Sequence, residues 1–272
     1  MMSSRRVATH DGGHLYAKVQ GPENAPCVVF CNSVLTDARI WHSQIEFFKT
    51  DYRVCSYDQR GHGQSSNYSG KLSFDDYGRD LIRVLDDFGV DRFHFIGLSM
   101  GVPTGLAAFK IFPDRFMSFV AVDGLAKSAP GREAFWTGNR KRAESGELDR
   151  VISETVSRWL QSTPPQDDQY LRLLDIMRST SVGGFSAATF ALQSYDYSSA
   201  ISKIKCPFLG IAGSDDGTMP SAMRAQFSEV RNGNFFDIEA AGHVPNFEKP
   251  SEFNLRLLDF LVTSASPSQE KN

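Results

Sequence analysis

Residues 97–101 read Gly-Leu-Ser-Met-Gly, directly after the apolar run RFHFI and directly before the helix-like MGVPTGLAAFKIF. A serine held between a strand and a helix sits on a sharp, strained turn, and the chain passes close to itself on both sides. Positions two before and two after must then be nearly free of side chains, which Gly97 and Gly101 supply. Pro103 falls in the first turn of the helix, where a missing N–H costs little. A serine flanked by glycines is common in loops. Between a strand and a helix, the pattern predicts a sheet with helices packed on it and Ser99 presented as a nucleophile.

The rest of the chain supports that architecture. Eight strand-like runs recur: RRVATH, HLYAKVQ, PCVVFC, YRVCSY, RFHFIG, FMSFVAVD, CPFLGIA and NFFDIEA, with helical patterns between most of them from Ala38 onward. DGG between the first two marks a hairpin. VVF, VAV and FLGIA are continuously apolar, as strands covered on both faces should be. The alternation stops between about Leu125 and Ala200, where amphipathic stretches such as LDRVISETVSRWLQ take over. These features predict an α/β core over residues 1–124 and 201–262, a helical cap over 125–200, and a disordered Ser-rich tail over 263–272.

A serine hydroxyl needs a histidine to take its proton and a carboxylate to orient that histidine. His10, His14, His42, His62 and His94 all precede Ser99, and only His243 follows it, in a loop after the last strand-like run. With the order Ser, acid, His, the base is His243. The acid lies just past CPFLGIA, where Asp216 is preferred to Asp215, a turn residue in that reading. Asp123, ending FMSFVAVD, is a third candidate. One oxyanion-hole N–H should come from Met100, the residue after the nucleophile, and the other from the loop after the third strand, FCNSVLTDARIW.

Composition narrows the partners. Of 272 residues 41% are hydrophobic and the formal charge is −3, which argues against a polyanionic partner such as nucleic acid. There is no secretory signal and no apolar run long enough for a membrane span, so cytoplasmic residence is expected. The four cysteines fall in or beside strand-like runs and suit buried thiols rather than disulfides. No Cys/His cluster suggests a metal, and the chemistry requires no cofactor.

DQRGHGQS, GLSMG, GSDDGTMP and GHVPNFEKP occur in the order and spacing of the α/β-hydrolase superfamily, which the chain resembles from about residue 10 to 262. The resemblance implies a mostly parallel eight-stranded sheet flanked by helices. Asn32-Ser33 stands where most of the superfamily has His-Gly, and with Thr36, Asp37 and Trp41 it is similar to the 3-oxoadipate enol-lactonase branch. Leu35, where that branch commonly has glycine, and Val102, where a second glycine is common, depart from it. The resemblance implies Val34 as the loop's oxyanion donor and Asn32 and Ser33 beside the substrate.

The expected activity is hydrolysis of a small carboxylic ester, a lactone or enol-lactone, through an acyl-enzyme on Ser99. General carboxylester hydrolysis, carbon–carbon bond hydrolysis and a non-catalytic ligand receptor remain as alternatives, and a homodimer is one open oligomeric state. In the cap, Trp136 is a candidate pocket wall. Arg132, Arg140 and Arg142 are candidates to hold a substrate carboxylate, although RKR reads first as a solvated face. His62 reads as structural.

Overall fold

The computed structural model describes residues 2–265. All eight expected strands form: β1 (Met2–Ala8), β2 (His14–Gln20), β3 (Cys27–Cys31), β4 (Arg53–Tyr57), β5 (Phe93–Leu98), β6 (Phe116–Val122), β7 (Phe208–Gly213) and β8 (Asn234–Ile238). They make one sheet in the order β1-β2-β4-β3-β5-β6-β7-β8. β1 pairs antiparallel with β2 around the DGG turn, and β2 pairs antiparallel with β4. From β4 through β8 every pairing is parallel.

Helices α1 (His42–Phe48), α2 (Phe74–Asp87) and α3 (Gly101–Ile111) alternate with the central strands. Between β6 and β7 the chain leaves the sheet for α4 (Arg132–Arg142), α5 (Leu148–Trp159), α6 (Asp168–Arg178), α7 (Val182–Gln193) and α8 (Ser198–Ile201). It returns through α9 (Met219–Gln226) between β7 and β8, and α10 (Pro245–Glu248) and α11 (Pro250–Ala265) follow. Among the described residues no helix is long and apolar enough to cross a membrane.

The continuously apolar strands are explained by burial on both faces. Val28 and Phe30 of β3 point to one side, where Ile45 and Phe48 of α1 and Phe253 and Leu257 of α11 cover them. Val29 and Cys31 point to the other, against Leu81 and Leu85 of α2 and Leu106 and Phe109 of α3. Each large apolar side chain removed from water in this way stabilises the fold by roughly 1.5–3 kcal/mol. All four cysteines are free thiols, three of them buried, as expected.

The expected tail needs one correction. Thr263, Ser264 and Ala265 continue α11, with the Thr263 hydroxyl donating to the Asp259 carbonyl inside the helix. A polar, Ser-rich ending is compatible with the last helical turn, because its side chains need no buried face. Residues 266–272, the remainder of that tail, lie outside the described residues.

Parallel pairing has a geometric consequence. β3, β5, β6, β7 and β8 all end on the same edge of the sheet, so the segments after them converge there.

Candidate active site

Ser99 occupies the turn between β5 and α3 with φ of 51°, a left-handed conformation that costs a non-glycine residue about 1–2 kcal/mol. The turn is pinned on both sides, since the Ser99 N–H donates to the Val122 carbonyl at 2.7 Å and Val102 N–H donates to the Ser99 carbonyl at 3.0 Å. A Cβ on Gly101 would lie 2.5 Å from the Cys31 oxygen, and one on Gly97 would lie 2.7 Å from the backbone of Gly101. These are overlaps with backbone, which explains why both positions lack a side chain.

The segments after β7 and β8 bring the expected partners to that serine. His243 Nε2 lies 2.9 Å from Ser99 Oγ, and His243 Nδ1 lies 2.6 Å from Asp216 Oδ2. With Nδ1–H donating to the carboxylate, Nε2 is left as acceptor of the serine proton. The histidine loop is held in place on three sides. Its N–H reaches the Trp159 carbonyl at 3.2 Å, its ring packs 4.7 Å from the Trp159 indole, and Gly242 N–H donates to Glu248 Oε1 at 2.8 Å. Burial is the main cause that pushes the Glu248 carboxyl up to about 7.

The other two candidate acids sit differently. Asp215 is exposed and accepts from the Ser214 hydroxyl at 2.9 Å, a turn arrangement. Asp123 is fully buried at the end of β6, near Asp216 and with φ of 41°. Its two oxygens share one donor, the Gly213 N–H, at 3.2 and 3.3 Å. Ligand atoms of Asp123, Asp216 and His243 lie within 4.8 Å of one another, a spacing that a metal ion could bridge. The His243 nitrogens are already engaged by Asp216 and Ser99.

The loop after β3 passes beside the serine. Val34 and Met100 both line the cavity at Ser99, and among the described residues neither N–H has a hydrogen-bond acceptor within the protein. Leu35 takes φ of 64°, and its N–H donates to His62 Nε2 at 3.2 Å. Nδ1–H of His62 in turn donates to the Arg60 carbonyl at 3.0 Å. Complete burial lowers the His62 pKa to about 4, keeping the imidazole neutral and its Nε2 free to accept. Asp58 fixes the far end of the loop by accepting from Ala38 N–H at 2.9 Å. The DQRGHGQS segment therefore clamps this loop.

Asn32 and Ser33 do not stand where a substrate could touch them. Both are fully buried, and neither lines the cavity. The Asn32 amide donates to the Tyr57 carbonyl at 2.9 Å, which ties the loop to the end of β4, and the Ser33 carbonyl accepts the Thr36 hydroxyl at 2.9 Å. The resemblance implied proximity to the chemistry. The Asn32 side chain turns inward to reach the Tyr57 carbonyl, while its Oδ1 and the Ser33 hydroxyl are buried with no partner among the described residues.

The cavity holds about 250 Å³, bounded below by Val34, Ser99, Met100 and His243 and above by side chains of α4, α5 and the end of α7. Phe135 and Trp136 of α4 form one wall, and Trp159 and Tyr195 contribute others. Arg132 lines this cavity, whereas Arg140 and Arg142 do not. Arg140 is buried against the Phe190 ring at 3.8 Å and donates to Gln193 at 3.1 Å. Arg142 pairs with Glu154 at 2.8 Å on the outer surface.

A second cavity arginine, Arg158, was not singled out from sequence. Both guanidiniums lie 5.2 Å from the Phe135 ring, and among the described residues neither has an ion-pair partner. Much of Arg158 is open to solvent through the cavity mouth, yet partial loss of hydration and then the like charge of Arg132 hold its pKa below the usual arginine value. A signal was present in the sequence. Arg158 falls seven residues after Val151 and three after Thr155, on the side of α5 that turns inward.

Comparison with known proteins agrees with the architecture. Residues 26–250 match the sequence profile of the alpha/beta hydrolase fold family. 3-oxoadipate enol-lactonase 1 of Acinetobacter baylyi is 30% identical over 249 residues, covering 91% of this chain and 92% of the relative. (E)-2-((N-methylformamido)methylene)succinate hydrolase of the same organism is 25% identical over 242 residues, covering 87% and 90%. The crystal structure of the enol-lactonase from Burkholderia xenovorans LB400 superposes with a TM-score of 0.88 at 25% identity, covering 95% of this chain and 100% of that one.

Proposed function

This chain belongs to the α/β-hydrolase fold family, and within it we propose that the protein hydrolyses a small carboxylic ester, a lactone or enol-lactone that carries a carboxylate. The observation that carries the reading is the run from Asp216 through His243 to Ser99, at 2.6 and 2.9 Å, opening into a cavity with two unpaired guanidiniums. Similarity to 3-oxoadipate enol-lactonase 1 supports the lactone class.

In this reading Ser99 Oγ attacks the carbonyl carbon as its proton passes to His243 Nε2. Asp216 holds Nδ1–H and stabilises the imidazolium that forms. The negative oxygen of the tetrahedral intermediate accepts from the N–H groups of Val34 and Met100, each donor of this kind being worth about 10²- to 10³-fold in rate. The C–O bond then breaks, and His243 returns the proton to the departing enolate or alkoxide. In a lactone that oxygen stays tethered to the acyl group. Water, deprotonated by the same histidine, attacks the acyl-enzyme and releases the acid, restoring Ser99. Helices α4 to α8 act as a cap that walls the substrate side, with Arg132 and Arg158 placed to hold a carboxylate remote from the scissile bond.

A substrate panel tests the class. Purified protein is assayed on enol-lactones with and without a carboxylate, acyl-homoserine lactones, p-nitrophenyl acetate and vinylogous 1,5-diketones. The highest kcat/KM is expected on the carboxylate-bearing lactones. Cleavage of the diketones with no lactone opened would replace this reading with carbon–carbon hydrolysis. Preference for the neutral aryl ester would replace it with a general carboxylesterase.

A further inference from the structure

Asp123 is the one residue at the centre of the site to which the reaction above gives no task. Its carboxyl is fully buried, it follows β6 in a left-handed backbone conformation, and it lines the cavity beside Asp216 and His243, with the ligand atoms of the three within 4.8 Å of one another. A buried carboxylate is tolerated when a cation or two or three N–H donors face it. Asp123 has neither. Its two oxygens share the Gly213 N–H at 3.2 and 3.3 Å, and the nearest titratable groups are Asp216, His243 and Glu248, two of which are themselves acids.

We propose that Asp123 is a neutral carboxylic acid whose O–H donates to the Asp216 carboxylate, so that the two acids share one proton and Asp123 positions and tempers the group that orients His243. This rests on the assignment of Asp216 and His243 to the catalytic machinery. Asp216 meets His243 through Oδ2 at 2.6 Å, and a donor on its other side draws charge away from that contact. Burial is the first cause raising the Asp123 pKa, and the charge of Asp216 is the second, so both favour the protonated form. The strained φ of 41° is consistent with a carboxyl held in place by function, because an unstrained residue would suffice to end a strand.

The consequence concerns how basic His243 is. A fully charged Asp216 would favour the imidazolium and make proton return to the leaving group less favourable. An Asp216 that shares its charge with a donor stabilises the imidazolium less. Asp123 touches neither substrate nor the reacting atoms, so it is a positioning residue.

The test reads protonation directly and needs no turnover. Infrared spectra of wild type minus Asp123→Asn at pH 8 should show the carbonyl stretch of one protonated carboxyl that the variant lacks. NMR titration of the His243 ring should give the same pKa in wild type and Asp123→Asn, since a neutral donor replaces a neutral donor. Asp123→Ala should raise it, and kcat should fall with KM little changed, the asparagine restoring part of the loss. If Asp123 were ionised, the band would be missing from wild type, and Asp123→Asn would lower the His243 pKa by at least about one unit through loss of a nearby negative charge. Either result overturns the proposal. Should Ser99→Ala retain full activity, the hydrolase mechanism fails instead, while the spectra still report on Asp123.

Discussion

The N–H of Leu35 donates to Nε2 of His62 across 3.2 Å, and that imidazole is completely buried. One residue earlier stands Val34, which lines the cavity at Ser99. A histidine outside the reacting group therefore sets the path of the loop proposed to meet the oxyanion. Replacing it with alanine leaves the Leu35 N–H buried without a partner and frees the loop to shift.

His62→Ala is expected to lower kcat about 10- to 100-fold, less than outright loss of a donor, with a smaller change in KM. His62→Gln, whose Oε1 can accept from Leu35, should recover most of it. Steady-state kinetics of the two variants check this, and equal losses in both would show that the hydrogen bond has no part in positioning.

The same histidine has a pH signature in stability. Its folded pKa, about 4, lies below its ordinary 6.5, so the unfolded chain takes up the proton first as pH falls. The stability it contributes is complete above pH 6.5 and is lost as pH drops toward 4, roughly 3 kcal/mol over the window. Asp58, pushed up to about 6 by burial, titrates in the same range but is present in both proteins. The difference in unfolding free energy between wild type and His62→Gln should therefore shrink from pH 7 to pH 4. Denaturant titrations across that range measure it.

At Leu35 the usual ranking of alanine over glycine should reverse. Both substitutions remove a buried side chain, but φ of 64° penalises any residue with a Cβ. Leu35→Gly is expected to be about 1 kcal/mol more stable than Leu35→Ala, although both are weaker than wild type. Thermal or urea unfolding of the pair decides the order.

Removing the cavity cations should separate charged from neutral substrates. Arg158→Met or Arg132→Met should raise KM for a carboxylate-bearing lactone about tenfold or more, as for loss of a charge-assisted hydrogen bond. Turnover of p-nitrophenyl acetate should change far less. Equal effects on both substrates would assign these arginines a packing role.

What the sequence disclosed, and what it concealed, follows from the range of the interactions involved. Ser99, Asp216 and His243 were legible because each lies next to a strand end, and parallel strands bring their carboxyl ends to one edge. The loop after the third strand was legible in the same way, but Val34 within it came only from the resemblance. The inward turn of Asn32 was hidden because it depends on the Tyr57 carbonyl, 25 residues away in another strand. His62 read as structural, and its bond to Leu35 is such a contact, but its bearing on the oxyanion loop required the fold. Arg158 was obscured by its neighbours in an amphipathic helix, and its distinction from Arg140 and Arg142 is only which way each helix faces.

The most direct measurement is rapid-quench mass spectrometry of the protein with a lactone substrate. Because ring opening releases no fragment, an acyl-enzyme on Ser99 should appear as the protein mass plus the whole lactone, localised to the peptide containing GLSMG. It should decay as free acid forms, and it should be absent from Ser99→Ala, which should also lose turnover. Hydrolysis at the wild-type rate by Ser99→Ala, or an adduct on any other residue, would contradict the assignment of Ser99 as the nucleophile.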